Sequence, residues 1–189
     1  MPREDGELKK LNLEWSFDRG VDILRRIIRL EGEVGEDIKF THLDAALTEM
    51  EQRSSRKTIT IKINSGGGYV VDAQAIIARI KASPCHIVTE GYGQIESSAT
   101  LIFASGDRRR ISRFCRLMVH EASYQIGGKH SEIANYVKQT TFEEDLWATW
   151  YYELTGYKTP IFWRKMMKGA DNYFDAHKAL EYQLADEVF

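Results

Sequence analysis

The string Gly91-Tyr92-Gly93-Gln94-Ile95-Glu96-Ser97-Ser98 puts a serine where glycines permit a sharp bend and an apolar helical run begins. A hydroxyl on such a turn is exposed. The helix behind it offers free N–H groups and the positive end of its dipole to a developing oxyanion. Serine is also among the best N-cap residues, and capping alone accounts for the string. A second place is Asn64-Ser65-Gly66-Gly67-Gly68, at the end of an alternating apolar run. Without Cβ atoms, its backbone N–H groups can turn outward toward a phosphate or an oxyanion, although a simple tight turn would also use these residues. No Gly-Lys-Ser/Thr follows, which excludes a phosphate loop of the Walker type. The third is Leu117-Met118-Val119-His120, an imidazole closing an apolar strand. It reads either as a satisfied core histidine or as a general base standing at a sheet edge.

These residues need strands and helices to bring them together, and the periodicity supplies both. Residues 26–31 read as a strand ended by Gly32, and Thr58–Ile63 alternates as a strand that runs into the glycine string. Residues 37–53 carry Phe40, Leu43, Leu47 and Met50 at spacings of three and four, which predicts an amphipathic helix. Ala73, Ile76, Ile77 and Ile80 predict a second helix, Cys85–Thr89 a third strand, and Ser97 to Ala104 an apolar helix. Short strands follow near 109–111 and 116–120. This strand–helix–strand order predicts an α/β domain with right-handed crossovers and a mostly parallel sheet. A long aromatic-rich helix is expected from Ser131 to Leu154. Its Trp147, Trp150 and Tyr151 fit either core packing or a subunit contact. The end of the chain reads as a helix over 162–168, a turn at Gly169-Ala170-Asp171, a short helix after Asp175 and a strand at 186–189. Residues 1–20 are polar and read as an irregular, mobile arm, with residues 21–189 as one domain.

Composition sets bounds on the function. In 189 residues, 43% are hydrophobic, enough for one sizeable core. The 26 Lys+Arg against 28 Asp+Glu give a net charge of −2, without the basic excess of a nucleic-acid binder. No apolar run is long enough to cross a bilayer, and the charged first ten residues lack the apolar stretch of a secretory signal. Cys85 and Cys115 lie in apolar segments without metal-ligand spacing, so a reducing compartment, no metal and no disulfide are expected. A cytoplasmic protein without a cofactor, membrane or nucleic-acid partner is the expectation.

Taken together, the strings resemble those of the Clp protease proteolytic subunit family, over about residues 22–189. Ile63-Asn64-Ser65-Gly66-Gly67-Gly68 is similar to that family's Ile-Asn-Ser-Pro-Gly-Gly, Gly93–Ser97 to Gly-Gln-Ala-Ala-Ser, and Leu117–His120 to Met-Ile-His. Asp171–Ala176 and Ala179–Tyr182 resemble Asp-Arg-Phe-x-Ser-Ala and Glu-Ala-x-Glu-Tyr-Gly. The resemblance implies the fold shared with crotonase-like enzymes, strand–helix units around the sheet with a protruding helix that serves as an oligomerisation handle. It also implies a serine endopeptidase acting on unfolded polypeptides through an acyl-enzyme. Ser97 would be the nucleophile, His120 the general base and then acid, and Asp171 the carboxylate that orients the imidazole. The backbone N–H groups of Gly68 and Ser98 would form the oxyanion hole, and Gly67 and Tyr69 would bind substrate. Implied partners are further copies in a heptameric ring, stacked or single, and a Clp-family ATPase.

The match has departures. Gly66 stands in place of proline, Glu96 in place of a small residue, Ser98 in place of methionine, and Ala170 where the family has a ring-locking arginine. Asp175 and Asp186 are rival carboxylates, Asp175 being better suited to cap the last helix, and Ser98 is a rival nucleophile. The alternatives are an inactive ring or scaffold subunit and a specialised, for example viral, processing protease without an ATPase. An acyl-CoA hydratase or isomerase would need a general-base glutamate, for which Glu96 is the candidate. A serine–lysine peptidase of related fold would have no need of both His120 and Asp171.

Overall fold

The computed structural model describes residues 2–189. In chain order the elements are α1 (Pro2–Asp18), β1 (Val21–Asp22), β2 (Ile27–Val34), α2 (Phe40–Arg53), β3 (Ile59–Gly68), α3 (Val70–Lys81), β4 (Ile87–Glu96) and α4 (Ser98–Ala104). They continue with β5 (Arg108–Ile111), β6 (Arg116–Val119), α5 (His130–Thr155), α6 (Pro160–Met167), β7 (Asn172–Asp175), α7 (Ala176–Glu181) and β8 (Glu187–Val188). The sheet runs β1-β2-β3-β4-β5-β8, with β6 also pairing β4 and β7 pairing β6. Five of these pairings are parallel, and only β1 with β2 and β6 with β7 are antiparallel. The mostly parallel α/β sheet read from the sequence is what the chain forms.

β3 shows how the pattern becomes structure. Ile59, Ile61 and Ile63 point into the core, and the alternation continues through buried Ser65 and Gly67. The tight turn left open for 64–68 does not form: the glycine string extends the strand, pairing Gly67 with Glu33 and Gly68 with Val34 of β2. The core lies between the sheet and the helices. α4 is buried at every residue, from Ser98 to Ala104, packing on β3 and β4 and against α3 and α5. α2 and α3 bury Leu43, Leu47, Met50, Ile76 and Ile80. Arg79 of α3, donating to Asp44 and Glu51, ties their outer faces.

α5 has two parts. Its buried residues, Thr140, Trp147, Ala148, Tyr151 and Thr155, begin ten residues into the helix, so His130–Gln139 projects from the body. Within the second part, Trp147 and Tyr151 face the core while Phe142 and Tyr152 stay exposed, and in the projecting part Val137 is exposed.

The irregular arm expected at 1–20 is corrected as well. Pro2–Asp18 is helical, and Leu8, Leu11 and Trp15, three and four apart, pack against the core; Met1 lies outside the described residues. The side chain of Asn12 accepts the Leu24 N–H, which fastens this helix to the loop after β1. Among the described side chains three apolar residues make its packed stripe in a strongly charged segment, too sparse a signal to stand out in the sequence. Among the described residues no helix is long and apolar enough to cross a membrane.

One arginine holds the entry to the sheet. Arg26 has a left-handed backbone (φ 59°), unusual outside glycine, at the turn into β2. Its guanidinium donates to the carbonyls of Met50 (2.7 Å), Ser54 (3.0 Å), Thr58 (3.1 Å) and Lys57 (3.1 Å). It thereby caps the C-terminal end of α2, where a positive charge is favoured, and pins the loop to β3. Arg26→Ala is expected to lower unfolding free energy by about 2 kcal/mol, the scale of losing charge-assisted bonds to carbonyls that stay half-buried. Arg26→Gly, free of the backbone strain, should recover little of it. Urea denaturation at one fixed protein concentration measures both, and an unchanged midpoint for Arg26→Ala would remove the guanidinium from this role.

Candidate active site

Three neighbouring strands deliver three side chains to one end of the sheet. β4 is ten residues long and changes partner along its length. Val88–Gly91 pairs with β5, and Gln94–Glu96 pairs with β6. The change falls at Gly93, whose φ of +60° suits glycine and whose missing Cβ leaves room for Asn64 Oδ1, 2.6 Å from where it would sit. Beyond Glu96, paired with Met118, the next residue is Ser97. β6 ends at Val119, and His120 follows. β7 runs antiparallel to β6 with Val119 opposite Asn172, so continuing that register places Asp171 across from His120.

Ser97 occupies the N-cap position of α4 but makes no side-chain capping bond. Instead its Oγ lies 2.8 Å from His120 Nε2. Its backbone is left-handed, φ 54° and ψ −130°, a conformation a serine holds only when its surroundings over-determine it. Both ends are tied: its N–H donates to the Met118 carbonyl at 2.8 Å, and its carbonyl accepts from the Thr100 N–H at 3.0 Å and the Thr100 hydroxyl at 2.6 Å. Here the capping reading of the sequence gives way to a hydroxyl turned toward an imidazole.

His120 presents its other nitrogen to Asp171, Nδ1 to Oδ1 being 3.4 Å, within ion-pair range but longer than a good hydrogen bond. The imidazole is about three-quarters buried, and the Asp171 side chain is about half exposed. The segment after His120 is anchored by the Glu121 N–H on the Met167 carbonyl. Asn172 bonds the carbonyls of Met166 (2.5 Å) and Ala170 (3.1 Å), closing the turn that carries Asp171. The rival carboxylates are occupied elsewhere. Asp175 accepts the Lys178 N–H as the cap of α7, and Asp186 is bound by Arg109. Ser98, the rival nucleophile, is buried, and its hydroxyl donates to the Gly68 carbonyl at 3.2 Å.

That bond joins the end of β3 to the start of α4, so Gly68 and Ser98, the two expected backbone donors, lie side by side. Gly67 lies closer still to the hydroxyl. A Cβ there would stand 2.6 Å from Ser97 Cβ and 2.8 Å from the Glu96 carbonyl, on a backbone with φ +95°. The string 66–68 borders an open groove of about 470 Å³ that also takes in Glu33, Asn64 and Gln94. Tyr69 is not part of that lining. Its ring lies over Gly35 and is more than half exposed.

Glu96, adjacent to the serine, turns out to be neutralised in place. Buried to 8% exposure, it accepts from Arg116 Nε at 2.6 Å, and Arg116 also reaches Gln94. Its carboxylate is thus held on β6 rather than aimed at Ser97. Cys115 offers no competing nucleophile, because burial, with the Glu96 charge nearby, pushes its thiol up to about 12.

Two features were not read from the sequence. One is β7, whose pairing aims Asp171; Asn172-Tyr173-Phe174-Asp175 is short, and its two aromatic residues are adjacent, so its alternating burial leaves no apolar–polar pattern in the sequence. The other is the brace on the Ser97 carbonyl. Thr100 inside an apolar run could have hinted at it, since a buried hydroxyl needs a partner.

Comparison with known proteins bears on the family of the chain. Residues 18–189 match the family model described as Clp protease. The ATP-dependent Clp protease proteolytic subunit 2 of Corynebacterium efficiens is 32% identical over 177 residues, covering 91% of this chain and 85% of that protein. Proteolytic subunit 1 of Corynebacterium jeikeium is 29% identical over 165 residues, 86% of each chain. Proteolytic subunit 2 of Rhodococcus jostii is 30% identical over 165 residues, 86% of this chain and 83% of that one.

Gly67→Ala tests how closely the glycine string abuts the serine. The added methyl should displace Ser97 and cut the rate of its labelling by a fluorophosphonate at least ~10-fold, the scale expected when a reacting group is misplaced by an ångström or less. Labelling at the parent rate would mean that the strand end and the serine are not in contact.

Proposed function

The chain belongs to the Clp protease family, and from that premise we propose that it hydrolyses peptide bonds of unfolded polypeptides through Ser97, His120 and Asp171. The observation that carries this reading is the 2.8 Å approach of Ser97 Oγ to His120 Nε2. As Ser97 Oγ attacks the scissile carbonyl, His120 Nε2 takes its proton, and the carbonyl oxygen becomes an anion. The N–H groups of Gly68 and Ser98 receive that anion, helped by the positive end of α4. His120 then gives its proton to the leaving amine, and the acyl group stays on Ser97. A water, deprotonated by the same imidazole, releases it. Asp171 keeps Nδ1 protonated and steadies the imidazolium. Its carboxylate is exposed enough to close the 3.4 Å gap with a small movement. Gly67 leaves the room in which a substrate strand passes the serine. Tyr69 stands outside that groove, its ring over Gly35, and takes no part in this path.

The altered residues around Ser97, Glu96 among them, are what would favour an inactive subunit. Pairing of Glu96 with Arg116 weakens that argument, because the charge is already compensated where it stands. The same pair leaves Glu96 without the freedom a general-base glutamate needs, which disfavours the hydratase reading. For assembly, we propose a homo-oligomeric ring, heptameric as in the family resemblance. The projecting part of α5 with exposed Val137, exposed Phe142 just past it, and exposed Tyr124 and Ile126 just before it supports such contacts. The relatives' names specify ATP-dependent proteases, and we extend to this chain a Clp-family ATPase partner.

Ser97→Ala should lower turnover of a fluorogenic peptide roughly 10⁴-fold, as removal of a member of a catalytic unit does. A fluorophosphonate should label Ser97; labelling at Ser98 would transfer the nucleophile, and a parent protein that neither turns over peptide nor labels, with or without the ATPase, would leave the scaffold reading. Native mass spectrometry is expected to give rings, and a monomer alone at micromolar concentration would remove them.

A further inference from the structure

We infer that Tyr151 and Thr100 are positioning residues that aim the Ser98 N–H, through a hydrogen-bonded chain ending on the Ser97 carbonyl. This rests on the proposed role of the Ser98 N–H as an oxyanion donor. The Thr100 hydroxyl donates to the Ser97 carbonyl at 2.6 Å, so it can only accept from its other neighbour, the Tyr151 hydroxyl. The phenol is therefore the donor at the head of the chain. Both residues are buried, and burial pushes the Tyr151 phenol above its ordinary range, so that it keeps its proton wherever the imidazole works as a base.

The Ser97 carbonyl and the Ser98 N–H belong to one planar peptide, and in a trans peptide they point in opposite directions. Fixing the oxygen therefore fixes the direction of the N–H. Ser97's left-handed backbone makes this necessary, because a strained residue relaxes if its peptide is free to rotate. Donation to the carbonyl also polarises the amide, which strengthens its N–H as a donor. The Thr100 N–H bond to the same carbonyl alone would leave the oxygen with one tether at 3.0 Å. Tyr151 is itself immobilised, its ring stacked on Trp163 of α6 with centroids 4.8 Å apart and 17° between planes. The chain thus runs from α5 and α6 through α4 to the peptide that faces the developing charge.

The experiment compares the parent with Thr100→Val, Thr100→Ser, Tyr151→Phe and the Thr100→Val/Tyr151→Phe double variant. Each is measured for kcat and KM on a fluorogenic peptide, for inhibition by a peptide boronate, and for thermal unfolding. Thr100→Val should lower kcat about 10-fold, less than outright loss of an oxyanion donor, and weaken the boronate by a similar factor, with KM within twofold. Tyr151→Phe should lower kcat about threefold. The double variant should equal Thr100→Val, because the phenol acts only through the threonine. Thr100→Ser, which keeps the hydroxyl, should restore kcat and shows whether any loss in Thr100→Val is mere misfolding. Thr100→Val with parental kcat and boronate affinity would overturn the inference, as would a loss confined to KM or to the melting temperature. If the parent itself neither turns over peptide nor binds the boronate, the protease reading fails and takes this inference with it. A working parent with indifferent variants sinks the brace alone.

Discussion

Everything at the candidate site follows from the change of partner along β4. A strand that kept β5 beside it to the end would leave no slot for β6, and the histidine would have no way to reach the serine. Because β4 leaves β5 at Gly91 and takes up β6 at Gln94, β6 is inserted one strand beyond the core pairings. β6 in turn recruits β7. Ser97, His120 and Asp171 then emerge from three adjacent strands at the same end, with the tip of β3 on the other side of β4. The two pairings of one strand convert residues separated by 74 positions in the chain (171 − 97) into a cluster. Ligand sites beyond the carboxyl ends of parallel strands are a general property of such sheets. Here the fork is what creates the crevice.

Charge around this frame is arranged in compensated pairs. Across the sheet the register aligns Arg29, Lys62, Glu90, Arg110 and Glu187 on five successive strands. Glu90 takes both Lys62 and Arg110, and Arg110 also reaches Glu187. Lys62 and Arg110 further lie over the rings of Tyr92 and Phe189. Opposite charges directly across strands stabilise pairing, and here they let a sheet row be ionic without like charges meeting, except Arg29 beside Lys62. The same logic at Glu96 and Arg116 allows a buried carboxylate next to Ser97 without aiming its charge at the hydroxyl.

How much of this could be read from the sequence depended on whether a residue's neighbours were local. Of the parallel strands, β3 was legible because its isoleucines alternate at 59, 61 and 63, and β2 and β4 because they begin as short apolar runs that end near glycines. The amphipathic helices were legible because their buried faces repeat at three and four. The glycine string misled in one respect: such residues suggest a turn, yet ladder pairing with β2 kept them extended to Gly68. α1 was missed because its contact face is only Leu8, Leu11 and Trp15 amid charged residues. At the site, Ser97, His120 and Asp171 could be named, but only by likeness to a family. No local pattern says that Asp171 faces His120, since that depends on the antiparallel return of β7. Nor does the sequence tell where Glu96 points, because its partner Arg116 is twenty residues away and adjacent only through the β4–β6 pairing.

The division of α5 links the chemistry to the packing. Its second half is core, and there the Tyr151 hydroxyl has no water to turn to. A bond made in that setting is hard to give up, since breaking it leaves a buried donor unsatisfied. Its first half makes few contacts with the body and must find them elsewhere or remain solvated. A 26-residue helix is about 39 Å long at its 1.5 Å rise per residue, so the two halves work at a distance while sharing one rigid axis. Tyr151 sits in the core half, on the same helix axis as the projecting one. The tolerance there is small, because the stacked Trp163, the Thr100 hydroxyl and the fully buried α4 leave the phenol one place to be.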